Sequence, residues 1–176
     1  TFVQCPRKAF WTYYWGGTGL VPREEALPLL FGSAIHLTIE RLLVGGLSVE
    51  EAIKEGKKAF GGLEEGRRLE QEWLFECLMV VWAEKRLPVL RSEFDFLLVE
   101  KEILWVLGED DQKVILQMVR PDLLARRLSD GELFYLEWKT TSSGGEDWAR
   151  KWEKNTQVFC NALAIQESLK ERVSGV

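Results

Sequence analysis

Apolar residues recur at two different spacings along the chain, and these spacings predict its elements. In the first half and near the end, apolar positions return every three to four residues, which is typical of helices that bury one face. In the middle, short alternating or continuous apolar runs bounded by Gly, Asp and Ser indicate β-strands. Helices are predicted at Cys5–Trp15, Leu29–Leu43, Val49–Phe60, Arg67–Arg86 and Asp147–Arg172. Strands are predicted at Glu93–Leu107, at Lys113–Val119 continuing through Asp122–Leu128, and at Glu132–Lys139.

The order of these elements predicts the class of fold. Helices come first, the strands follow, and one more helix covers the sheet, which indicates an α/β fold with a central mixed β-sheet flanked by helices. A length of 176 residues suits a single domain, and 46% hydrophobic residues suffice for a substantial core. Because the chain begins without methionine inside a predicted helix, we expect residues 1–176 to be one domain of a longer protein, truncated at both ends.

Two neighbouring predicted strands bring charged residues together at one end. Asp122 follows Pro121, which lacks an N–H and therefore marks a strand end or a bulge. Because side chains on a strand alternate between faces, Glu137 and Lys139 share one face and Trp138 points to the other. Two carboxylates can hold Mg²⁺, which lowers the pKa of a bound water. A neighbouring ammonium can orient that water and stabilise charge on a phosphate.

The pair Glu137 and Lys139 also has a simpler interpretation. An exposed ion pair on an edge strand would contribute about 0–1 kcal/mol and do no chemistry. The preceding residues, Leu133–Leu136, are apolar, which is typical of a strand buried on both faces. Charged groups at the end of a buried strand are costly to leave unpaired, and this favours a functional role.

Four segments occur in the order found in one enzyme family. The pair Pro121–Asp122 with the tripeptide Glu137–Lys139 resembles the signature of the PD-(D/E)XK nucleases, in their RecB-like and Cas4-like branch. Three further segments resemble the N-terminal helix, the glycine–histidine motif and the glutamine motif of that branch: Gln4–Trp11, Phe31–His36 and Asn155–Gln157. Four ordered segments over nearly the whole chain are more specific than any one of them.

The resemblance implies a metal-dependent nuclease with a restriction-endonuclease-like core. It assigns a Mg²⁺ or Mn²⁺ ion to His36, Asp122, Glu137 and the carbonyl of Trp138. It assigns catalytic roles to Asp122, Glu137, Lys139 and Gln157, with Lys139 as the catalytic lysine and Gln157 positioning that lysine or the DNA. Some relatives in this branch also hold a 4Fe–4S cluster on one N-terminal and three C-terminal cysteines. Cys5 stands at the first position but the C-terminal trio is absent, so no Fe–S cluster is expected.

His36 and Gln157 have weaker support from their own surroundings. A lone histidine on a helix is more often a structural residue than a ligand. Gly32, one turn before His36, costs about 1 kcal/mol relative to alanine in a helix, so a close approach of backbone or ligand is expected there. Gln157 begins an apolar helical stripe, where an amide that caps a neighbour is the alternative.

The net charge limits the kinds of partner that the protein can attract, and the cysteine content indicates its compartment. The net charge of −5 argues against general attraction to DNA, although a nuclease needs only a local basic track. Candidates for that track are Arg7, Lys8, Arg120, Arg126, Arg127, Arg150, Lys151 and Lys154. The 3 cysteines are widely spaced, which indicates reduced thiols in a cytoplasmic protein. No segment reaches the roughly 18 apolar residues of a membrane span, so no membrane partner is expected.

These observations predict a metal-dependent DNA nuclease. More specifically, we expect an exonuclease that acts on single-stranded DNA or DNA ends in repair, recombination, phage or CRISPR-related processing. A larger parent protein or protein partners would be compatible with this role. The alternative is a catalytically silent DNA-binding or assembly module that keeps the fold. Intact Asp122, Glu137 and Lys139 favour the enzyme, because a purely structural role would not require all three.

Overall fold

The computed structural model describes Phe10 and residues 26–109, 114–140 and 155–176. The chain divides into two compact units, residues 1–30 and residues 31–176. The larger unit contains every predicted site residue, from His36 to Gln157. The predicted helix Cys5–Trp15, apart from Phe10, lies outside the described residues. The same holds for the start of the predicted helix Asp147–Arg172.

Five α-helices are present in the described part of the chain. They are α1 (Leu27–Val44), α2 (Val49–Lys57, followed by a 3₁₀ turn at Lys58–Phe60), α3 (Glu65–Lys85), α4 (Leu87–Glu93) and α5 (Thr156–Leu169). The predicted helices Leu29–Leu43, Val49–Phe60 and Arg67–Arg86 are confirmed as α1, α2 with its 3₁₀ turn, and α3, and their bounds agree within a few residues. Helix α4 was not predicted, and its Pro88 lies in the first turn, where a missing N–H breaks no hydrogen bond. Helix α5 ends before the predicted Arg172, because Lys170 has a left-handed φ of 54°.

A tight contact between helices surrounds Gly56 in α2. The rings of Phe31, Phe60 and Phe75 pack against one another, with centroids 5.6–6.1 Å apart. A Cβ at Gly56 would overlap the hydroxyl of Thr38 and would lie 2.6 Å from the ring of Phe75. Glycine is therefore required here by the close approach of the helices and not by backbone conformation.

We expect Gly56→Ala to destabilise the protein by about 1–3 kcal/mol, because overpacking outweighs the roughly 1 kcal/mol that alanine gains in a helix. Gly66→Ala is the matched control, since Gly66 lies in the first turn of α3 with no described atom within 4 Å of the added Cβ. That control should be neutral or more stable by up to about 1 kcal/mol. Urea unfolding of both variants measures the difference. Equal stability of the two would contradict the close contact.

The strands in the described ranges form two sheets. They are β1 (Phe94–Val99), β2 (Ile103–Glu109), β3 (Val114–Val119), β4 (Leu123–Arg127), β5 (Leu133–Leu136) and β6 (Val173–Gly175). The main sheet has the order β1-β4-β5-β6, and β2 with β3 forms a separate antiparallel pair. Strand β6 runs parallel to β5 whereas the other pairs are antiparallel, so the main sheet is mixed.

Two predicted strands are each divided between the two sheets. The prediction of one unbroken strand over Glu93–Leu107 was wrong, whereas a strand end at Pro121 agrees with the prediction for that residue. The run Glu93–Leu107 is interrupted at Glu100, whose φ of 48° lies in the left-handed region. The run from Lys113 to Leu128 is interrupted at Pro121, which cannot donate to a ladder. The predicted hairpin between the first two strands is confirmed as the β2–β3 pair. Both interruptions lie at the base of this pair.

Helices lie on both faces of the main sheet. Helix α5 covers one face and the base of the β2–β3 pair, with a core formed by Ile103, Val119, Leu124, Leu133, Tyr135, Ala164 and Ile165. The side chains at alternate positions of the strands face the other side of the sheet. On that side Trp138 contacts Trp82 of α3, with ring centroids 5.9 Å apart. This arrangement confirms the predicted α/β fold with a central mixed sheet flanked by helices, a restriction-endonuclease-like core.

Helix α1 is apolar along its length. Its 18 residues have a mean hydropathy of 1.4, so by length and composition alone the helix could cross a membrane, and the expectation that no segment reaches this length and apolarity was wrong. Six of its residues are nevertheless buried within the fold, including Ala34, Thr38 and Leu42. A core helix of a folded domain has the same composition, and here its apolar face packs inside the protein while His36 faces the sheet.

Candidate active site

Asp122 lies at the point where the chain enters the main sheet. It directly precedes β4, is 5% exposed, and accepts a hydrogen bond at Oδ2 from the backbone N–H of Trp138 at 2.5 Å. Its own carbonyl accepts from the backbone N–H of Glu100 at 3.1 Å. These bonds fix the carboxylate between the two sheets, as expected for the residue that follows Pro121.

Glu137 and Lys139 follow β5, the neighbour of β4 in the sheet. The Lys139 ammonium donates to Oε1 of Glu137, so the two side chains share one face as the alternation predicts. Trp138 lies on the other face against α3. Its backbone N–H reaches Asp122, while its carbonyl as a metal ligand stays a prediction.

Besides Lys139, two residues hold the carboxylate of Glu137, and a third supports one of those two. The hydroxyl of Tyr135 donates to Oε2, and Gln157 at the start of α5 donates to Oε1 at 3.4 Å. Asn161, one helical turn after Gln157, donates to the hydroxyl oxygen of Tyr135 at 2.8 Å. Burial, and then the neighbouring Glu137, raise the pKa of Tyr135, so its hydroxyl stays protonated and remains a donor. Gln157 therefore contacts the carboxylate next to the lysine.

His36 reaches the site from α1. Its Nδ1 lies 3.0 Å from Oε1 of Glu100 and 3.3 Å from Oδ1 of Asp122. The hydrogen bond to Asp122, joined by the one to Glu100, raises the pKa of His36 from 6.5 to about 9, although burial acts in the opposite direction. In the metal-free protein the imidazole is therefore protonated at neutral pH.

This shift predicts a measurable pH dependence. Because the folded pKa of His36 exceeds its ordinary value of 6.5, its contribution to stability is fully present below about 6.5 and is lost as pH rises through about 9. His36 is the only histidine in the sequence, so its NMR titration in EDTA is unambiguous. Asp122→Asn should bring the midpoint back toward 6.5. A midpoint near 6.5 in the unsubstituted protein would contradict the contact with Asp122.

Glu100 joins His36 and Asp122 in a group that the sequence did not reveal. One donor atom from each of the three lies within 4.8 Å of the others. Glu137 lies outside this group and faces Tyr135 and Lys139. Burial raises the pKa of Glu100, and Arg120 Nε lies 3.2 Å from its other oxygen. Carboxylate oxygens and an imidazole suit Mn²⁺, and the oxygens suit Mg²⁺, so this donor set fits a divalent cation.

One cavity of about 660 Å³ connects these groups. Its lining includes His36, Glu100, Asp122, Glu137, Lys139 and Gln157. The side chains come from α1, the two strand interruptions, the end of β5 and the start of α5. Charged groups distant in the sequence thus converge on one open pocket, as expected of a site that performs chemistry.

Three contributing residues were missed by the sequence analysis. Tyr135 precedes Glu137 by two positions and therefore shares its face, and Asn161 follows Gln157 by one helical turn, so periodicity could have found both. Glu100 gave no such signal, because it lies 64 positions from His36. The close approach expected at Gly32 is an ordinary contact, with an added Cβ 3.5 Å from Oγ1 of Thr140.

Only some of the basic residues predicted to contact DNA lie within the described part of the chain. Arg126 pairs with Glu171 and Arg127 pairs with Asp130, so both are engaged at the far end of β4. Among the described members of this set, Arg120 lines the cavity. The remaining candidates, Arg7, Lys8, Arg150, Lys151 and Lys154, lie outside the described residues. Cys5 lies outside them as well, while Cys77 and Cys160 are free thiols.

Comparison with known proteins agrees with this geometry. No curated protein matches the chain. The model of one family, described as the PD-(D/E)XK nuclease superfamily, matches residues 1–175. Nucleases of this superfamily depend on divalent metals, and the acidic pocket has the donors to hold one. The chain belongs to the PD-(D/E)XK nuclease superfamily.

Proposed function

We propose that this protein is a Mg²⁺- or Mn²⁺-dependent exonuclease of the RecB-like and Cas4-like branch, which hydrolyses phosphodiester bonds in single-stranded DNA or at DNA ends. The observation that carries the proposal is the convergence of Asp122, Glu137 and Lys139 with His36 on one cavity. A cytoplasmic role in DNA repair, recombination, phage or CRISPR-related processing is part of the same proposal.

Different residues of the pocket would have different roles in hydrolysis. Asp122, Glu137 and His36, together with the carbonyl of Trp138, would hold the cation. When bound, a divalent cation supplies charge stabilisation at the phosphate and an acidified water. The remaining roles, such as orienting the water and the phosphate, would be carried out by side chains of the protein.

Lys139 would act on the reacting phosphate. Its ammonium contacts Glu137, which orients it toward the cavity that both residues line. From there it can orient the attacking water and stabilise negative charge on the phosphate oxygens. Tyr135 and Gln157 hold the carboxylate of Glu137, and thus the lysine, in that geometry.

Cleavage of labelled DNA tests the proposed function. Single-stranded and double-stranded DNA of the same sequence are incubated with Mg²⁺, Mn²⁺ or EDTA at matched salt, because salt alone changes DNA affinity. Cleavage that requires the cation supports the proposal. DNA binding without cleavage under all conditions would instead favour the alternative, a silent binding or assembly module.

The exonuclease part has its own test. Linear DNA and covalently closed circular DNA of the same length are compared under the conditions that give cleavage. An exonuclease degrades the linear form and leaves the closed circle intact. Equal degradation of both would replace the exonuclease proposal with an endonuclease.

A further inference from the structure

The cavity at the site is larger than a cation and a phosphate require. Its volume is about 660 Å³, within the roughly 300–1,000 Å³ of pockets that bind a drug-sized ligand. A cation and a phosphate with a few waters, each water taking about 30 Å³, occupy only part of this space. The remaining volume can therefore receive a further part of the substrate.

This remaining volume lies along one edge of β3. Four consecutive residues, 117–120, line the cavity. Because side chains on a strand alternate between faces, a run of consecutive lining residues places an edge of the strand, and not one face, against the cavity. Strand β2 pairs with the other edge of β3. Thr156 and Cys160, one helical turn apart on α5, line the cavity as well, so it extends between β3 and α5.

Gln117 offers an unused amide to this part of the cavity. Its cross-strand partner Trp105 packs against the core that α5 covers, so Gln117 lies on the same side of the β2–β3 pair as α5. The side chain is half-buried and, among the residues that the structure describes, makes no hydrogen bond. Gln157 and Asn161, by contrast, are bonded within the site. Because half-buried amides normally have partners, Gln117 is available to a ligand.

We infer that the space between β3 and α5 is a subsite for one unpaired nucleobase of the DNA, and that Gln117 recognises the edge of that base. The inference rests on the proposed function and extends it to the selectivity of the same site. A glutamine amide has two donor hydrogens and one acceptor oxygen. It can bond at once to the acceptor N7 and the donor N6 of adenine, which stand side by side. Adenine is therefore the base that we expect to be favoured.

The rest of the lining suits the face of a base. Cys160 is a free thiol, which behaves as a small apolar group, and Val119 is buried beside it in the lining of the same cavity. A base within a duplex is stacked between its neighbours and cannot enter such a cavity. The subsite would therefore favour single-stranded DNA or opened DNA ends.

Cleavage of single-stranded DNA with one variable base tests the subsite. Thymidine oligonucleotides carry a single adenine at each position in turn, and kcat/KM is measured in Mn²⁺. The unsubstituted protein should cleave about 5- to 100-fold faster when adenine occupies one fixed position relative to the broken bond, as expected of a bidentate contact. Gln117→Ala should lose this preference through a higher KM for the adenine strands. Gln71→Ala is the matched control and should keep it, because Gln71 lies on α3 and is not part of the cavity lining.

A second variant separates recognition of a base from a structural role. Gln117→Glu replaces the amide with a carboxylate, which only accepts hydrogen bonds and pairs with the N4 amine of cytosine. With cytosine walked through the same oligonucleotides, the favoured base at the fixed position should change from adenine to cytosine. A glutamine that merely shapes the cavity would lower the cleavage of every strand equally and change no preference.

DNA affinity in EDTA, measured by fluorescence anisotropy on the same oligonucleotides, separates this inference from the proposed function. A base preference in binding that depends on Gln117, without any cleavage, would support the subsite and contradict the nuclease proposal. Cleavage without a base preference, or with one that Gln117→Ala leaves unchanged, would overturn the inference and leave the nuclease proposal standing. A preference for another base that Gln117→Ala abolishes would support the subsite and correct only the base. Neither binding nor cleavage of any strand would contradict both.

Discussion

Asp122→Asn and Glu137→Gln are each expected to lower the rate of DNA cleavage by roughly 10³-fold or more, because groups that act as a unit at a metal centre lose nearly all activity when one is removed. Asparagine is preferred to alanine at position 122 because the buried carboxylate also accepts from the N–H of Trp138. Alanine would leave that N–H without its partner, at a cost of about 1–3 kcal/mol in stability. Initial rates on end-labelled DNA in Mg²⁺ measure the effect.

Circular dichroism melting in EDTA is the control for folding. Both variants should unfold as cooperatively as the unsubstituted protein, since each keeps an oxygen acceptor at the substituted position. Glu84→Gln, an exposed carboxylate on α3 away from the pocket, should cleave at the unsubstituted rate. If either site variant retains near-full activity, that residue is not part of the catalytic machinery.

Lys139→Ala is expected to lower turnover by about 10²- to 10³-fold at every metal concentration, the loss seen when one charge-stabilising donor is removed. The variant keeps all the proposed ligands, including Glu137, which the ammonium contacts, so the Mn²⁺ affinity should change little. His36→Ala should behave in the opposite way. It should weaken metal binding and raise the metal concentration needed for cleavage, with Mn²⁺ restoring activity better than Mg²⁺ because imidazole suits transition metals.

Calorimetric titration of Mn²⁺ into both variants, combined with rates over a range of metal concentrations, separates the two roles. Lys139→Met serves as a control for the length of the side chain without its charge, and should match Lys139→Ala. Equal Mn²⁺ affinity in His36→Ala and the unsubstituted protein would leave His36 as a structural histidine. Recovery of Lys139→Ala at high metal concentration would place the lysine in metal binding instead of catalysis.

The sequence predicted the parts of the site that depend on local periodicity. Glu137 and Lys139 share a face because a strand alternates, and Asp122 is adjacent because β4 and β5 are joined by a short turn. Each of these relations spans few residues, so the pattern of apolar positions was sufficient. His36 and Gln157 came from the family resemblance, since nothing local distinguishes them from ordinary helical residues.

The parts that escaped prediction depend on tertiary contacts. An apolar run such as Glu93–Leu107 reads as one strand, and glutamate is not a residue that signals a left-handed backbone, so the interruption at Glu100 was invisible. The short strand β6 has only 3 residues and exists because β5 offers it an edge. Helix α4 and the pairing of Glu100 with His36 likewise follow from packing between distant segments.

The hydrogen bond between the backbone N–H of Glu100 and the carbonyl of Asp122 joins the two ends of the β2–β3 pair. The pair leaves the main sheet at the first residue and returns at the second. Any force on the pair, from a DNA strand or a neighbouring protein, is therefore transmitted to both residues together. We therefore expect substitutions in β2 or β3 far from the cavity to shift Asp122 as well as Glu100, without altering a side chain of the site.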